Sequence, residues 1–143
     1  MNAYIIEPSS KAEAELNSFL DARIYEFNAQ ATGLWDGRPF SGVVKGQSGN
    51  IIAAINGHTW GGCCHIVFLW VHESKRRNGI GRSLLQSVEQ EATRRGCTQS
   101  LVLTHSFQAP IFCERQGYVR QASIPNYPRG HAQLVYLKQL GSA

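Results

Sequence analysis

Apolar and polar positions follow two different periods along this chain. Residues 4–6, Tyr-Ile-Ile, read as a short first strand before Pro8. Leu16, Phe19, Leu20, Ile24 and Phe27 then recur at helical spacing. They predict a helix over 11–27, with Ser9 or Ser10 as its cap. Gly33, Gly37 and Pro39 mark residues 32–39 as loop or turn. Residues 41–45 and 51–55 read as strands joined by Ser48-Gly49-Asn50. Asn56-Gly57 reads as a second hairpin turn, and a third strand follows over 64–72.

The pattern changes at Ile80. Ile80, Leu84, Leu85, Val88 and Ala92 mark one face of an amphipathic helix. It should end near Gly96, where Arg94 and Arg95 suit the negative end of the helix dipole. Residues 100–104 read as a short buried strand, and 108–116 as a helix stopped by Gly117. The last strands are expected over 118–124 and 133–137, separated by Pro125, Pro128 and Gly130. The order β-α-β-β-β-α-β-α-β-β predicts an α/β (α+β) fold, a mixed, mostly antiparallel sheet of about 6–7 strands flanked by helices.

Composition narrows this picture. The chain has 143 residues, the size of one domain, and residues 1–143 are read as such. With 43% hydrophobic and 17% charged residues it has the makings of a packed core. Its longest apolar run, 66–71, is far shorter than the ~20 residues of a membrane helix. Residues 1–16 carry Glu7, Glu13 and Glu15 and no apolar leader segment. A cytoplasmic protein with no membrane partner is expected, and Cys63, Cys64, Cys97 and Cys113 are expected as reduced thiols. Their spacing, with His58 and His65 nearby, matches no zinc template, so no metal is expected.

The charge is +4, and the excess is local. Lys75, Arg76, Arg77 and Arg82 lie within eight residues of one another, beside Gly79 and Gly81. A diffuse basic face would suit nucleic acid; a tight cluster next to glycines suits phosphate. The aromatics do not interleave with the basic residues as a base-stacking surface requires, so nucleic acid is not expected as a partner. In 69–82 a strand enters a basic loop that becomes the first turn of a helix. The first amides of such a helix point outward without partners, and glycine lets an anion approach the backbone. The Walker pattern is absent, and Gly79-Ile80-Gly81-Arg82-Ser83-Leu84 lacks the third glycine of a dinucleotide fingerprint.

Arg76-x-x-Gly79-x-Gly81, preceded by Leu69-x-Val71, resembles the acetyl-coenzyme A signature of the GNAT superfamily of N-acetyltransferases. Residues 109–118, Ala-Pro-Ile-Phe-Cys-Glu-Arg-Gln-Gly-Tyr, are similar to that family's A-x-x-F-Y-E-K-x-G-F segment. The resemblance is strongest over 65–118. It implies acetyl-coenzyme A as co-substrate. The strand holding Leu69, Trp70 and Val71 would splay from its neighbour and offer free amides to the pantetheine arm, as to an added strand. The diphosphate would sit on the amides of Arg77, Asn78, Gly79, Ile80, Gly81 and Arg82, with Lys75 and Arg76 adding charge.

The implied reaction is direct attack of an amine on the thioester in a ternary complex. His65 is the expected base, because an imidazole titrates near neutrality and the histone-acetylating branch has a glutamate at the aligned position. Strand alternation places it on one face with Val67, Leu69 and Val71. His72, Glu73 and His105 are rivals. Where the family offers a tyrosine acid this chain has Cys113, so the thiol, Tyr118 or water would serve. Trp35, Asp36 and Arg38 in one loop, and Tyr127, Arg129 and His131 in another, are expected to line the acceptor pocket. The expected acceptor is a primary amine of a small molecule or peptide, and pairing into a homodimer stays open. The alternatives are a non-catalytic coenzyme A-binding module and a small basic nucleic-acid binder.

Overall fold

The computed structural model describes residues 4–141, in one unit ending at Leu34 and a second beginning at Trp35. The first unit holds α1, Ala14–Thr32. The helix starts later than its apolar spacing suggests. Extended Glu13 precedes it without a side-chain cap. The Ser9 hydroxyl instead accepts the nearby Lys11 amide at 3.1 Å, a local turn that competes with helix. Gly33 ends the helix at φ 75, donating to Ala29 O at 2.7 Å. Tyr4, Ile5 and Ile6 form no strand and are 84–90% exposed. Three apolar residues before a proline have no partner edge here, and pairing is what makes a strand.

The second unit is a six-stranded sheet in the order β1-β2-β3-β4-β6-β5. The strands are β1, Arg38–Lys45; β2, Ile51–Trp60; β3, Cys63–Val71; β4, Gln99–His105; β5, Val119–Pro125; and β6, Ala132–Gln139. Every pair is antiparallel except β3 with β4, which are parallel. The crossover between those two carries α2, Ile80–Arg94. A shorter helix, α3, spans Pro110–Arg115. It begins two residues late because Gln108 turns its side chain back to accept the His105 amide at 2.7 Å, and Pro110 suits a first helical turn. The expected fold class is observed, without its first strand.

One face of the sheet is filled. Leu84, Leu85, Val88 and Ala92 of α2 are buried with Ala53, Ile55, Cys64, Ile66, Leu134 and Tyr136. Burial of the two leucines and the valine stabilises by roughly 5–8 kcal/mol. Beneath α2 the Tyr118 hydroxyl is 2.8 Å from both Glu89 Oε2 and Ser100 Oγ, and Lys138 Nζ donates to Glu89 Oε1 at 3.1 Å.

Asn56-Gly57 is not a turn. β2 runs straight through it, and Gly61 (φ 58) with Gly62 (φ 85) makes the hairpin four residues later. Asn56 pairs with Phe68 but Gly57 pairs with Ile66, so Val67 is an extra residue in β3, a bulge. A Cβ on Gly57 would lie 2.0 Å from His65 O and 2.6 Å from Phe40 Cζ. Gly57 is there because two neighbours come too close for a side chain. Gly57→Ala should cost about 2 kcal/mol and lower the melting temperature by roughly 6 °C. Scanning calorimetry measures it, and an unchanged midpoint would refute this role.

Candidate active site

β3 and β4 pair from Cys63 with Gln99 to Ile66 with Val102, and no further. Both strands continue, β3 to Val71 and β4 to His105. β4 stays on β6 to its end, while the Val67 bulge turns β3 with β2. The result is a wedge whose apex is Ile66 and Val102. From the bulge onward the side of β3 that faced β4 has no ladder partner.

The bulge also changes which side chains share a face. Directly paired residues lie on the same face of a sheet, so Cys64, Ile66, Leu69 and Val71 line up with Thr59, Gly57, Ile55 and Ala53. His65, Phe68 and Trp70 line the opposite face with His58, Asn56 and Ala54. His65 therefore does not share a face with Leu69 and Val71, because the extra residue reverses the alternation. Leu69 and Val71 pack on the core, so only their backbone is presented to the wedge.

At the wedge mouth the chain makes a single 3-10 turn, Glu73–Lys75, and enters α2 through Gly79 at φ 80. A left-handed residue is easy for glycine and costly for others. No side chain caps α2, no acidic residue lies in its first turn, and its first helical bond runs from Ser83 N to Gly79 O at 3.0 Å. The amides before Ser83 are thus left for another acceptor. Arg77 holds φ 67, an unusual backbone for a long side chain. Arg76 reaches back, its Nε donating to Val71 O at 2.9 Å, and ties the loop to the end of β3. Among the described residues no carboxylate pairs with Lys75, Arg76, Arg77 or Arg82. Cations and unpaired amides converge where β3 ends, a combination of charge and shape that suits an anion.

His65 sits next to the wedge apex, half-buried, its ring edge-on to His58 at 5.1 Å between centroids. Burial, and then the like charge His58 would carry, hold its pKa below the ordinary 6.5. It is neutral and able to accept a proton at pH 7. His72 and Glu73 lie beyond the strand, and His72 Nδ1 is engaged by the Ser74 amide at 3.1 Å. His105 ends the other arm of the wedge.

Cys113 is 6% exposed and belongs to the core. Burial, with Glu114 adding to it, pushes its thiol up to about 11. A thiol that holds its proton so firmly is a poor donor to another sulfur. Tyr118 is engaged in the network under α2, and burial raises it well above the usual phenol range.

The two expected acceptor loops do not meet. Asp36 Oδ1 accepts the Gly61 amide at 3.0 Å, and Arg38 pairs with Thr59 in the ladder. Both belong to the hairpin end of β3, the end remote from Val71, and Asp36 works there as a turn brace. Tyr127 and His131 stand instead with His105 and Phe107 at the far end of β4. Sequence spacing gave no signal for Phe107 or for the pairing of His58 with His65.

Residues 7–118 match the Acetyltransferase (GNAT) family model. The chain belongs to the GNAT acetyltransferase family. It is 34% identical over 113 residues to the blasticidin-S acetyltransferase of Streptomyces morookaense, covering 76% of this chain and 83% of that one. A crystal structure of an acetyltransferase from Agrobacterium tumefaciens, 26% identical, superposes with a TM-score of 0.82 over 97% of this chain and 99% of its own. An aminoglycoside 6'-N-acetyltransferase crystallised with coenzyme A shares the fold at a TM-score of 0.64 and 17% identity, over 73% and 74% of the two chains. The wedge and the start of α2 lie within the matched residues 7–118. Among the described residues no group of three His, Cys, Asp or Glu side chains could hold a metal, and no helix is long and apolar enough to cross a membrane.

Proposed function

We propose that this chain is one N-acetyltransferase domain that moves the acetyl group of acetyl-coenzyme A onto a primary amine of a small molecule. The observation that carries this reading is the wedge. The β3–β4 ladder stops at Ile66 and Val102, and the mouth ends at an uncapped helix among unpaired cations. A strand edge without partners accepts an extended amide-bearing arm, and the α2 amides accept a diphosphate. Acetyl-coenzyme A fits both, and its thioester supplies the activated acetyl group. The relative that acetylates blasticidin S supports a small-molecule acceptor.

Each residue then has a task. The backbone of Leu69, Trp70 and Val71 orients the arm. The amides from Gly79 to Arg82 and the charges of Lys75, Arg76 and Arg77 fix the diphosphate, with Asn78 beside them. His65 takes a proton from the bound ammonium, and the neutral amine so formed attacks the carbonyl. Water protonates the departing thiolate, since Cys113 and Tyr118 both hold their protons too tightly. Cys113→Ala should therefore leave kcat within about twofold of the parent, a small effect for a core thiol. A fall of tenfold or more would return the acid role to Cys113.

The deciding experiment is release of free thiol from acetyl-coenzyme A across a panel of small primary amines. Amine-dependent release is expected. Tight coenzyme A binding with no release for any amine would leave a binding module in place of an enzyme.

A further inference from the structure

We propose that the acceptor carries a planar unsaturated ring, and that Tyr127 and Phe107 hold it. This rests on reading the wedge as the acetyl-coenzyme A site. An amine must reach the apex from one face of the sheet. The face carrying Ile66 is closed by α2, which leaves the face carrying His65, Leu101 and Leu103. At its end four rings meet. His105 stacks on Phe107 at 5.4 Å and 8° and lies 5.3 Å from Tyr127, and Phe107 meets His131 edge-on at 5.0 Å.

The loops that carry the rings are tied to each other. His105 Nδ1 lies 3.0 Å from Tyr127 O, and the His131 amide donates to Pro128 O at 2.9 Å. The Ser106 amide donates to Ala132 O at 2.8 Å, and Ser106 Oγ accepts the Ala132 amide at 3.0 Å. Rings carried on loops tied in this way lose less freedom when a flat group joins them. Phe107 and Tyr127 nonetheless stay 55% and 53% exposed. There is no Asp or Glu between Gln99 and Cys113, nor from Val119 to the last residue. These two segments thus bring π faces and no acidic side chain to this end of the site. It recognises the acceptor by its ring and leaves the amine to His65.

The test is titration of 2-phenylethylamine and 2-cyclohexylethylamine into the full chain, with and without coenzyme A, followed by saturation-transfer NMR. The two probes match in charge and ring size, the cyclohexyl compound is the more apolar, and only the phenyl compound is planar. The phenyl compound should bind roughly tenfold more tightly, a gain of the size that ring pairs supply. Tyr127→Leu and Phe107→Leu should each erase most of that difference and leave the cyclohexyl compound unchanged. Tyr127→Phe, which keeps the ring, should restore it. Equal affinities, or a preference that survives Tyr127→Leu, would overturn the proposal. The readout is binding, so a chain that binds the phenyl probe but never releases thiol would refute the acetyl-transfer reading and uphold the ring site.

Discussion

Gly79→Glu should weaken coenzyme A binding at least a hundredfold while the protein stays folded. Gly79 stands at φ 80 with open space where a side chain would begin, so the substitution meets no steric block. The backbone strain is about 1–2 kcal/mol, which a domain of this size survives. The larger effect is charge. A carboxylate about 5 Å from one phosphate charge, at an effective dielectric near 20, is repelled by roughly 3 kcal/mol. That alone is more than a hundredfold, before any loss of amide contacts. Gly79→Asn separates the two causes, since asparagine tolerates the left-handed region and brings no charge; its affinity should fall less than tenfold. Titration calorimetry with coenzyme A at modest ionic strength reads both variants. If Gly79→Glu bound within threefold of the parent, α2 would not be the phosphate site.

The basic loop and the start of α2 were legible because their determinants are local. The loop cations, Gly79 and the apolar stripe of α2 lie within about one βα unit of sequence, so spacing alone places the helix start after the basic cluster. The same locality explains the recovery of the strands around it. The Val67 bulge was illegible for the opposite reason. It is a mismatch between two strands in register, and one strand read alone shows only alternation. Asn56-Gly57 misled in the same way: it has the composition of a hairpin, yet its glycine answers to the His65 carbonyl and the Phe40 ring, both supplied by other strands. The ring cluster joins residues more than twenty positions apart, and they meet only because β4 lies beside β6 and the loop before β6 folds back over its end.

The bulge has a chemical result as well as a topological one. Without Val67 as an extra residue, regular alternation would put His65 on the face occupied by Leu69 and Val71, under α2. With it, Ile66 stays in the core and His65 takes the opposite face beside the point where the strands part. A single unpaired residue thus coincides with the parting of the strands and sets the face on which His65 lies.

His65→Ala should lower kcat/KM for amines by on the order of a hundredfold near pH 7, with coenzyme A affinity unchanged, the size of effect expected from losing a general base. The pH dependence separates this from a packing loss. In the parent the acid limb reports His65, whose pKa lies below 6.5 because burial and His58 both disfavour its charged form. Activity should fall only as pH drops through that lowered value. His58→Ala removes one of the two causes, so the limb should move to higher pH while the plateau stays. In His65→Ala the amine must lose its proton without help. Its rate should then climb steadily and approach the parent's near pH 10, where a primary amine deprotonates by itself. A variant that loses the same factor at every pH, or a limb unmoved by His58→Ala, would take His65 out of the chemistry and leave it a structural histidine at the wedge apex.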